Sequence, residues 1–136
     1  IDVVRGELSQ DLTKYKIAVL GATFKPDSDD VRDSPALDIA VQLHAAGAEV
    51  VIHDPQGIEP ARKRFPNLDY AEVINDAIKD ADLILHLTEW KEYRQIDPVA
   101  ISSIVKSKII IDGRNMLDRT LWRDAGWKFH ALGRTD

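Results

Sequence analysis

The sequence predicts an α/β protein: a Rossmann-like, doubly wound, mainly parallel sheet of five to six strands in three layers. Two observations carry this. Short apolar runs alternate along the chain with segments of helical periodicity. Most of the runs are continuously apolar, as expected for strands covered on both faces of a parallel sheet.

The expected strands are Lys16–Leu20, Glu49–His53, Leu83–Leu87, Ile109–Asp112 and Trp127–Leu132, with a weaker one at Leu68–Tyr70. Between the first two, Ala36, Leu37, Ile39, Ala40 and Leu43 recur at helical spacing. Asp33 or Ser34 can cap that helix, Pro35 suits its first turn and Gly47 ends it. Further helices are expected at Ile58–Phe65, Val73–Lys79 and Pro98–Val105. Residues 1–15 are mixed and polar, and read as a tail or the end of a connecting helix. The compact unit is expected over residues 16–136.

At 136 residues the chain can bury one core. Its composition, 44% hydrophobic and 30% charged, is that of an ordinary globular domain. A net charge of −5 argues against a general nucleic-acid or acidic-membrane surface. No apolar run approaches the roughly 18 residues of a membrane span, and no signal peptide is visible. The absence of cysteine removes disulfides, thiolate metal sites and a cysteine nucleophile from these residues. The chain opens on Ile1 rather than Met, and is expected to be a piece of a longer protein.

In such a sheet, ligands bind beyond the carboxyl ends of the strands. Phe24, Lys25 and Arg32 follow the first strand; Thr88, Glu89 and Trp90 follow Leu83–Leu87; Gly113, Arg114 and Asn115 follow Ile109–Asp112. With the usual strand order and a spacing of about 4.8 Å, Lys25 and Arg114 would emerge roughly 10 Å apart on one edge. A lysine offers a point charge and an arginine a planar fork of donors, so the pair suits phosphates. Each has a plainer reading. Lys25 before Pro26 can be a solvated loop lysine, Arg32 can pair with Asp29 or Asp33, and Arg114 with Asp112 or Asp118.

The first loop carries only Gly21, so the G-x-G-x-x-G dinucleotide fingerprint is missing. Side-chain cations fit a phosphate here better than a glycine-lined backbone does. Asp54 ends the second strand, where dinucleotide domains hold a ribose. Without the glycines it reads as a structural turn or cap with Pro55. Asp27, Asp29, Asp30 and Asp33 read as a solvated turn before a helix N-terminus rather than a metal site. His53 and His86 lie in apolar strands and read as satisfied core or near-surface residues rather than ligands. Trp90, Trp122 and Trp127 read as packing residues, Trp90 having the best claim to line the cleft.

The run Gly21-Ala22-Thr23-Phe24-Lys25-Pro26-Asp27-Ser28-Asp29-Asp30-Val31-Arg32-Asp33-Ser34-Pro35-Ala36 resembles the start of the C-terminal domain of the UDP-glucose/GDP-mannose dehydrogenases. Ala46-Gly47-Ala48-Glu49-Val50, Asp54-Pro55, Thr88-Glu89-Trp90 with Tyr93-Arg94, and Asp112-Gly113-Arg114-Asn115 follow as in that family. The likeness covers about residues 16–132. Ala22-Thr23 replaces the commoner Leu-Ala, both small.

The resemblance implies a parent enzyme that oxidises a sugar C6 alcohol to a carboxylate in two NAD-dependent steps. An N-terminal domain of that parent would bind NAD, and a central helical region would supply the catalytic cysteine and a homodimer contact. Residues 16–136 would be the nucleotide-sugar (UDP)-binding domain, with no catalytic residue of its own. Phe24 and Lys25 would contact the nucleotide sugar, Arg114 its nucleotide portion, and Arg32 the NAD across the domain interface. The partners implied are a UDP-sugar and the other domains of the same parent, in the cytoplasm. The likeness is nearest to the UDP-glucose branch; UDP-N-acetylmannosamine and GDP-mannose branches are the alternatives. A stand-alone regulatory binding module of the same fold is the alternative from another class. The isolated piece is expected to be inactive and to bind weakly, since much of the cleft and its preorganisation would be missing.

Overall fold

A computed structural model describes residues 2–132. Ile1 and the last four residues of the expected 16–136 unit lie outside the described residues. The element order is α1 (Asp2–Glu7), β1 (Lys16–Leu20), α2 (Pro35–Ala45), β2 (Glu49–His53), α3 (Ile58–Arg64), β3 (Asp69–Tyr70), α4 (Ile74–Ile78), β4 (Leu83–His86), α5 (Lys91–Arg94), a short 3-10 turn (Ala100–Ser103), β5 (Ile109–Asp112), α6 (Arg119–Asp124) and β6 (Lys128–Ala131). The six strands form one sheet in the order β3-β2-β1-β4-β5-β6, and every pairing is parallel. The doubly wound architecture is therefore as the apolar runs predict.

Two apolar clusters cover the two faces, and alternate residues of each central strand serve them. Ile17 and Val19 of β1, Leu83 and Leu85 of β4 and Ile111 of β5 join Leu37, Ala40 and Leu43 of α2 and Ala61 of α3. Ala18, Leu20, Ile84 and Ile110 point the other way. They join Ile78 of α4, Tyr93 of α5, Ile101 of the 3-10 turn and Trp122 of α6. Val4 of α1 and Leu12 are buried in the first cluster, so the N-terminal segment shares this core.

Local chemistry explains where elements begin and end. Ser34, not Asp33, caps α2: its hydroxyl accepts from the Leu37 amide at 3.3 Å, with Pro35 in the first turn. Gly47 takes a left-handed φ of 96° just after that helix. The helix expected over Pro98–Val105 shrinks to the 3-10 turn. The β-branched Val99, Ile101, Ile104 and Val105 and the serine pair Ser102–Ser103 are poor helix formers. Ser102 also bonds back to the Pro98 carbonyl at 2.7 Å. The short helices α5 and α6 go beyond the sequence expectations; Asp118 caps α6 by accepting from the Leu121 amide at 3.1 Å. Among the described residues, no helix is long and apolar enough to cross a membrane.

Register places Leu20, His53, His86, Asp112 and Ala131 in one row at the carboxyl end of the sheet. Immediately beyond it Gly21 has a φ of 118°, and a Cβ there would stand 2.4 Å from Thr88 Oγ1 and 2.6 Å from the Thr88 amide nitrogen. Gly21→Ala therefore combines backbone strain with a clash against main chain. It is expected to cost about 2–3 kcal/mol or more, read as a lower urea midpoint. Gly6→Ala, in an exposed helical position with nothing within 4 Å of the new atom, is expected to be neutral or slightly stabilising. Equal responses from the two variants would contradict the close approach of the first and fourth strand ends.

Candidate functional site

The carboxyl-terminal edge of the sheet is organised by two buried carboxylates at strand ends. Asp54, 2% exposed, follows β2. Its Oδ2 accepts from the Ala22 amide at 2.8 Å, the Thr23 amide at 3.1 Å and Trp90 Nε1 at 3.1 Å. Its Oδ1 accepts from the Gln56 amide at 2.9 Å and the Gly57 amide at 2.7 Å. One side chain thus ties the loops after β1, β2 and β4 together. The Thr88 hydroxyl adds a bond to the Thr23 carbonyl at 2.9 Å. The structural reading of Asp54 extends from a local turn to a junction of three loops. Trp90 is a packing residue, as read, and does not line an open cleft. It is 2% exposed, because its indole N–H finds its acceptor in the buried Asp54 carboxylate.

Asp112, wholly buried, closes β5. Its Oδ1 accepts from His86 Nδ1 at 2.8 Å, the Arg114 amide at 3.0 Å and the Asn115 amide at 3.0 Å. Its Oδ2 accepts from the amides of Met116 at 2.9 Å and Leu117 at 2.8 Å. Burial by itself would raise this carboxyl. The His86 hydrogen bond and the backbone N–H groups outweigh it and hold the group at about 2. The loop that carries Arg114 is wound around this one anion, with Asn115 at a left-handed φ of 59°.

The candidate ligand contacts sit on these supported loops with their side chains outward. Phe24 is 55% exposed, a large apolar group held in solvent on a fixed backbone. Its amide bonds to the Asp30 carbonyl at 2.9 Å, closing the loop. Lys25 is exposed beside it. Arg32 is exposed and takes a two-pronged grip on Asp30, Nε and Nη2 each at 3.1 Å, rather than on Asp29 or Asp33. That grip lowers the Asp30 carboxyl below its ordinary range, the Arg32 side-chain hydrogen bond being the leading cause. Phe24 and Arg32 line one shallow depression together with Asp30 and Asp33.

Arg114 stands two strands away, with β4 between. Its partner is Glu89, at 2.5 Å from Nε and 3.3 Å from Nη2, and not Asp112 or Asp118. Asp112 cannot serve, because its oxygens are taken up by backbone N–H groups and His86. Partial burial pushes the Glu89 carboxyl up, but the Arg114 hydrogen bond and charge bring it below its ordinary value. Sequence reasoning missed Glu89 as that partner. Its place directly after β4, beside the strand that leads to Arg114, is the signal that could have found it. His53 and His86 are buried, as their apolar strands predict. The acidic residues of the first loop do not gather: among the described residues no group of three acids or histidines is placed to hold a metal. The arrangement offers outward cations, each exposed guanidinium pre-aligned by one carboxylate, and is suited to gripping an anionic ligand.

The sequence model of the UDP-glucose/GDP-mannose dehydrogenase family, UDP binding domain, matches residues 18–119. A UDP-glucose 6-dehydrogenase of Rhizobium meliloti (strain 1021) is 40% identical over 126 residues, covering 93% of this chain and 29% of the relative. The UDP-glucose 6-dehydrogenase TuaD of Bacillus subtilis (strain 168) is 38% identical over 119 residues, covering 87% of this chain and 26% of the relative. Among solved structures, an NDP-N-acetyl-D-galactosaminuronic acid dehydrogenase from Methanosarcina mazei Go1 superimposes with a TM-score of 0.83 at 25% identity, over 98% of this chain and 27% of that one. A UDP-glucose dehydrogenase from Pyrobaculum islandicum gives a TM-score of 0.77 at 26% identity, over 95% of this chain and 27% of that one. The chain thus spans less than a third of the length of these relatives. It belongs to the UDP-glucose/GDP-mannose dehydrogenase family.

The buried Asp112 makes stability depend on pH. Its folded value of about 2 lies below the ordinary 3.8, so its contribution is complete above pH 4 and disappears as pH falls through 2. The difference amounts to about 2 kcal/mol. Urea midpoints measured from pH 5 to pH 2 should fall for the native sequence. Asp112→Asn should start lower and show a shallower fall over that window.

Proposed function

We propose that this chain is the nucleotide-sugar-binding C-terminal domain of an NAD-dependent UDP-glucose 6-dehydrogenase, whose parent converts UDP-glucose to UDP-glucuronate. The observation that carries the reading is the family match over residues 18–119, which contains Phe24, Lys25, Arg32 and Arg114. Those four side chains face solvent beyond the carboxyl ends of β1 and β5, the two strands that flank β4, on the edge where open α/β sheets take ligands.

In this reading Phe24 and Lys25 hold the nucleotide sugar, Phe24 through apolar contact and Lys25 through charge. Arg114 grips the nucleotide portion, exchanging its partly buried Glu89 partner for, or sharing it with, the ligand. Arg32 reaches toward NAD bound by another domain of the parent. A guanidinium already held flat by Asp30, with a donor nitrogen left over, fits a phosphate of such a cofactor. NAD, when bound, accepts the hydride from the sugar; the residues of this chain bind, orient and exclude water. The cysteine chemistry of the family belongs to the parent's central region, and the parent is a cytoplasmic homodimer. A second reading keeps the same domain but changes the sugar to an N-acetylated one. The TM-score of 0.83 to the N-acetyl-galactosaminuronic acid enzyme favours it, and the 40% identity to the UDP-glucose enzyme favours the first.

In the full-length protein, Lys25→Ala and Arg114→Ala should each weaken UDP-glucose binding by about 1–3 kcal/mol in calorimetric titration. Arg32→Ala should instead raise the KM for NAD with little change for the sugar nucleotide. Unchanged affinity in both the Lys25 and Arg114 variants would reject this site. Tighter binding of UDP-N-acetylmannosamine or GDP-mannose than of UDP-glucose would move the assignment to another branch.

A further inference from the structure

His86 is a wholly buried polar residue in the middle of the sheet, flanked by Ile84, Leu85 and Leu87. A polar side chain in that position is costly unless it is hydrogen-bonded. Its Nδ1 donates to Asp112 Oδ1 at 2.8 Å, while Nε2 is buried without a hydrogen-bond partner among the described residues. The edge of the Tyr93 ring packs against it, with ring centroids 5.7 Å apart at 90°. Tyr93 is in turn anchored on β2, bonding to His53 Nδ1 at 2.8 Å and to the His53 carbonyl at 3.0 Å. The polar work of His86 is therefore directed at one atom, Asp112 Oδ1. That atom also accepts the amides of Arg114 and Asn115.

We propose that His86 is a positioning residue for Arg114. It fixes the plane of the Asp112 carboxylate, and through it the backbone of residues 114–117 and the root of the Arg114 side chain. This rests on the reading of Arg114 as a nucleotide contact. The geometry explains why a donor is needed there. A carboxylate with backbone N–H donors on one side only can rotate or tilt toward them. The imidazole, clamped by Tyr93, supplies a rigid charge-assisted donor from the sheet side. Glu89 then aligns the far end of the same arginine, so Arg114 is constrained at root and tip.

The test uses the full-length protein that contains this chain, with UDP as the probe. His86→Phe keeps a ring and loses the donor. His86→Asn keeps a donor nitrogen near the place of Nδ1. His86→Gln carries its amide one bond further out. Amide hydrogen exchange at residues 114–117 should speed up in His86→Phe and His86→Gln, and return toward the native rate in His86→Asn. The amides of Ala22 and Thr23, held by Asp54, should not change. The Kd for UDP should rise about tenfold in the first two and recover most of that in His86→Asn. If His86→Phe does not fold, the Asn and Gln pair decides. Equal exchange at 114–117 in all variants overturns the proposal. So does a loss that spreads equally to Ala22 and Thr23 and is not rescued by Asn, since that marks a general packing role. If the native protein binds no UDP, the functional reading fails, and the exchange rates still decide whether His86 holds the loop.

Discussion

A carboxylate that leaves water must find its donors inside the protein, and the carboxyl-terminal edge of this sheet is shaped by two that do. Asp54 and Asp112 each end a strand, and each collects backbone amides from the loop that follows. Asp54 reaches further, to the loop after β1 and to Trp90 beyond β4. An isolated buried charge would cost several kcal/mol. With this many N–H groups around it, the same charge specifies one backbone path. The path of these loops is thus set by the carboxylates' donors, together with the burial of Ala22, Trp90 and Leu117 in the two apolar clusters.

This constraint also accounts for the missing glycine fingerprint. In a dinucleotide domain the amides after the first strand face a pyrophosphate. Here the amides of Ala22 and Thr23 already have an anion, the Asp54 side chain. In the proposed reading, recognition of an external phosphate passes to side chains, and the cations around the edge are side chains that stand in solvent. Their carboxylate partners, Asp30 for Arg32 and Glu89 for Arg114, are partly exposed, 42% and 21% at the side chain. Such pairs are weak in water and are readily given up to a better-placed phosphate. They hold each guanidinium in a defined plane without sequestering it.

The sheet was legible in the sequence because its strands are continuous apolar runs, and the helix α2 because Ser34, Pro35 and Gly47 mark its ends. Less legible were the one- and two-turn helices. Trp122 and Tyr93 bury the apolar side of α6 and α5 in segments too short to show a period. The Pro98–Val105 segment has the apolar spacing of a helix but the β-branched and serine composition that opposes one. At the site, the cations were found by their position after strands. Their supports were not. Asp54 acts on residues 31 to 36 positions away, and His86 on Asp112 26 positions away, and no local spacing discloses such pairs. Arg114 illustrates the limit. Its charged neighbours in sequence, Asp112 and Asp118, are both engaged in capping backbone, and its partner comes from the adjacent strand end.

Rigid backbone with outward side chains has a consequence for binding. Ordering a loop on ligand arrival costs conformational entropy, and that cost subtracts from affinity. In this domain Asp54 and Asp112 hold the loop backbone in advance, so in the proposed reading a ligand would need only to fix the long side chains of Lys25, Arg32 and Arg114. For the two arginines part of that is also done, by Asp30 and Glu89. Phe24 has few rotatable bonds to lose and an exposed apolar face to bury, so it contributes at small entropic cost. Net negative charge over the whole chain does not oppose this, since at about 0.15 M salt an exposed charge is felt over roughly 8 Å. What decides the grip on an anion is the local set of cations at the strand ends, and the buried carboxylates beneath them decide where those cations stand.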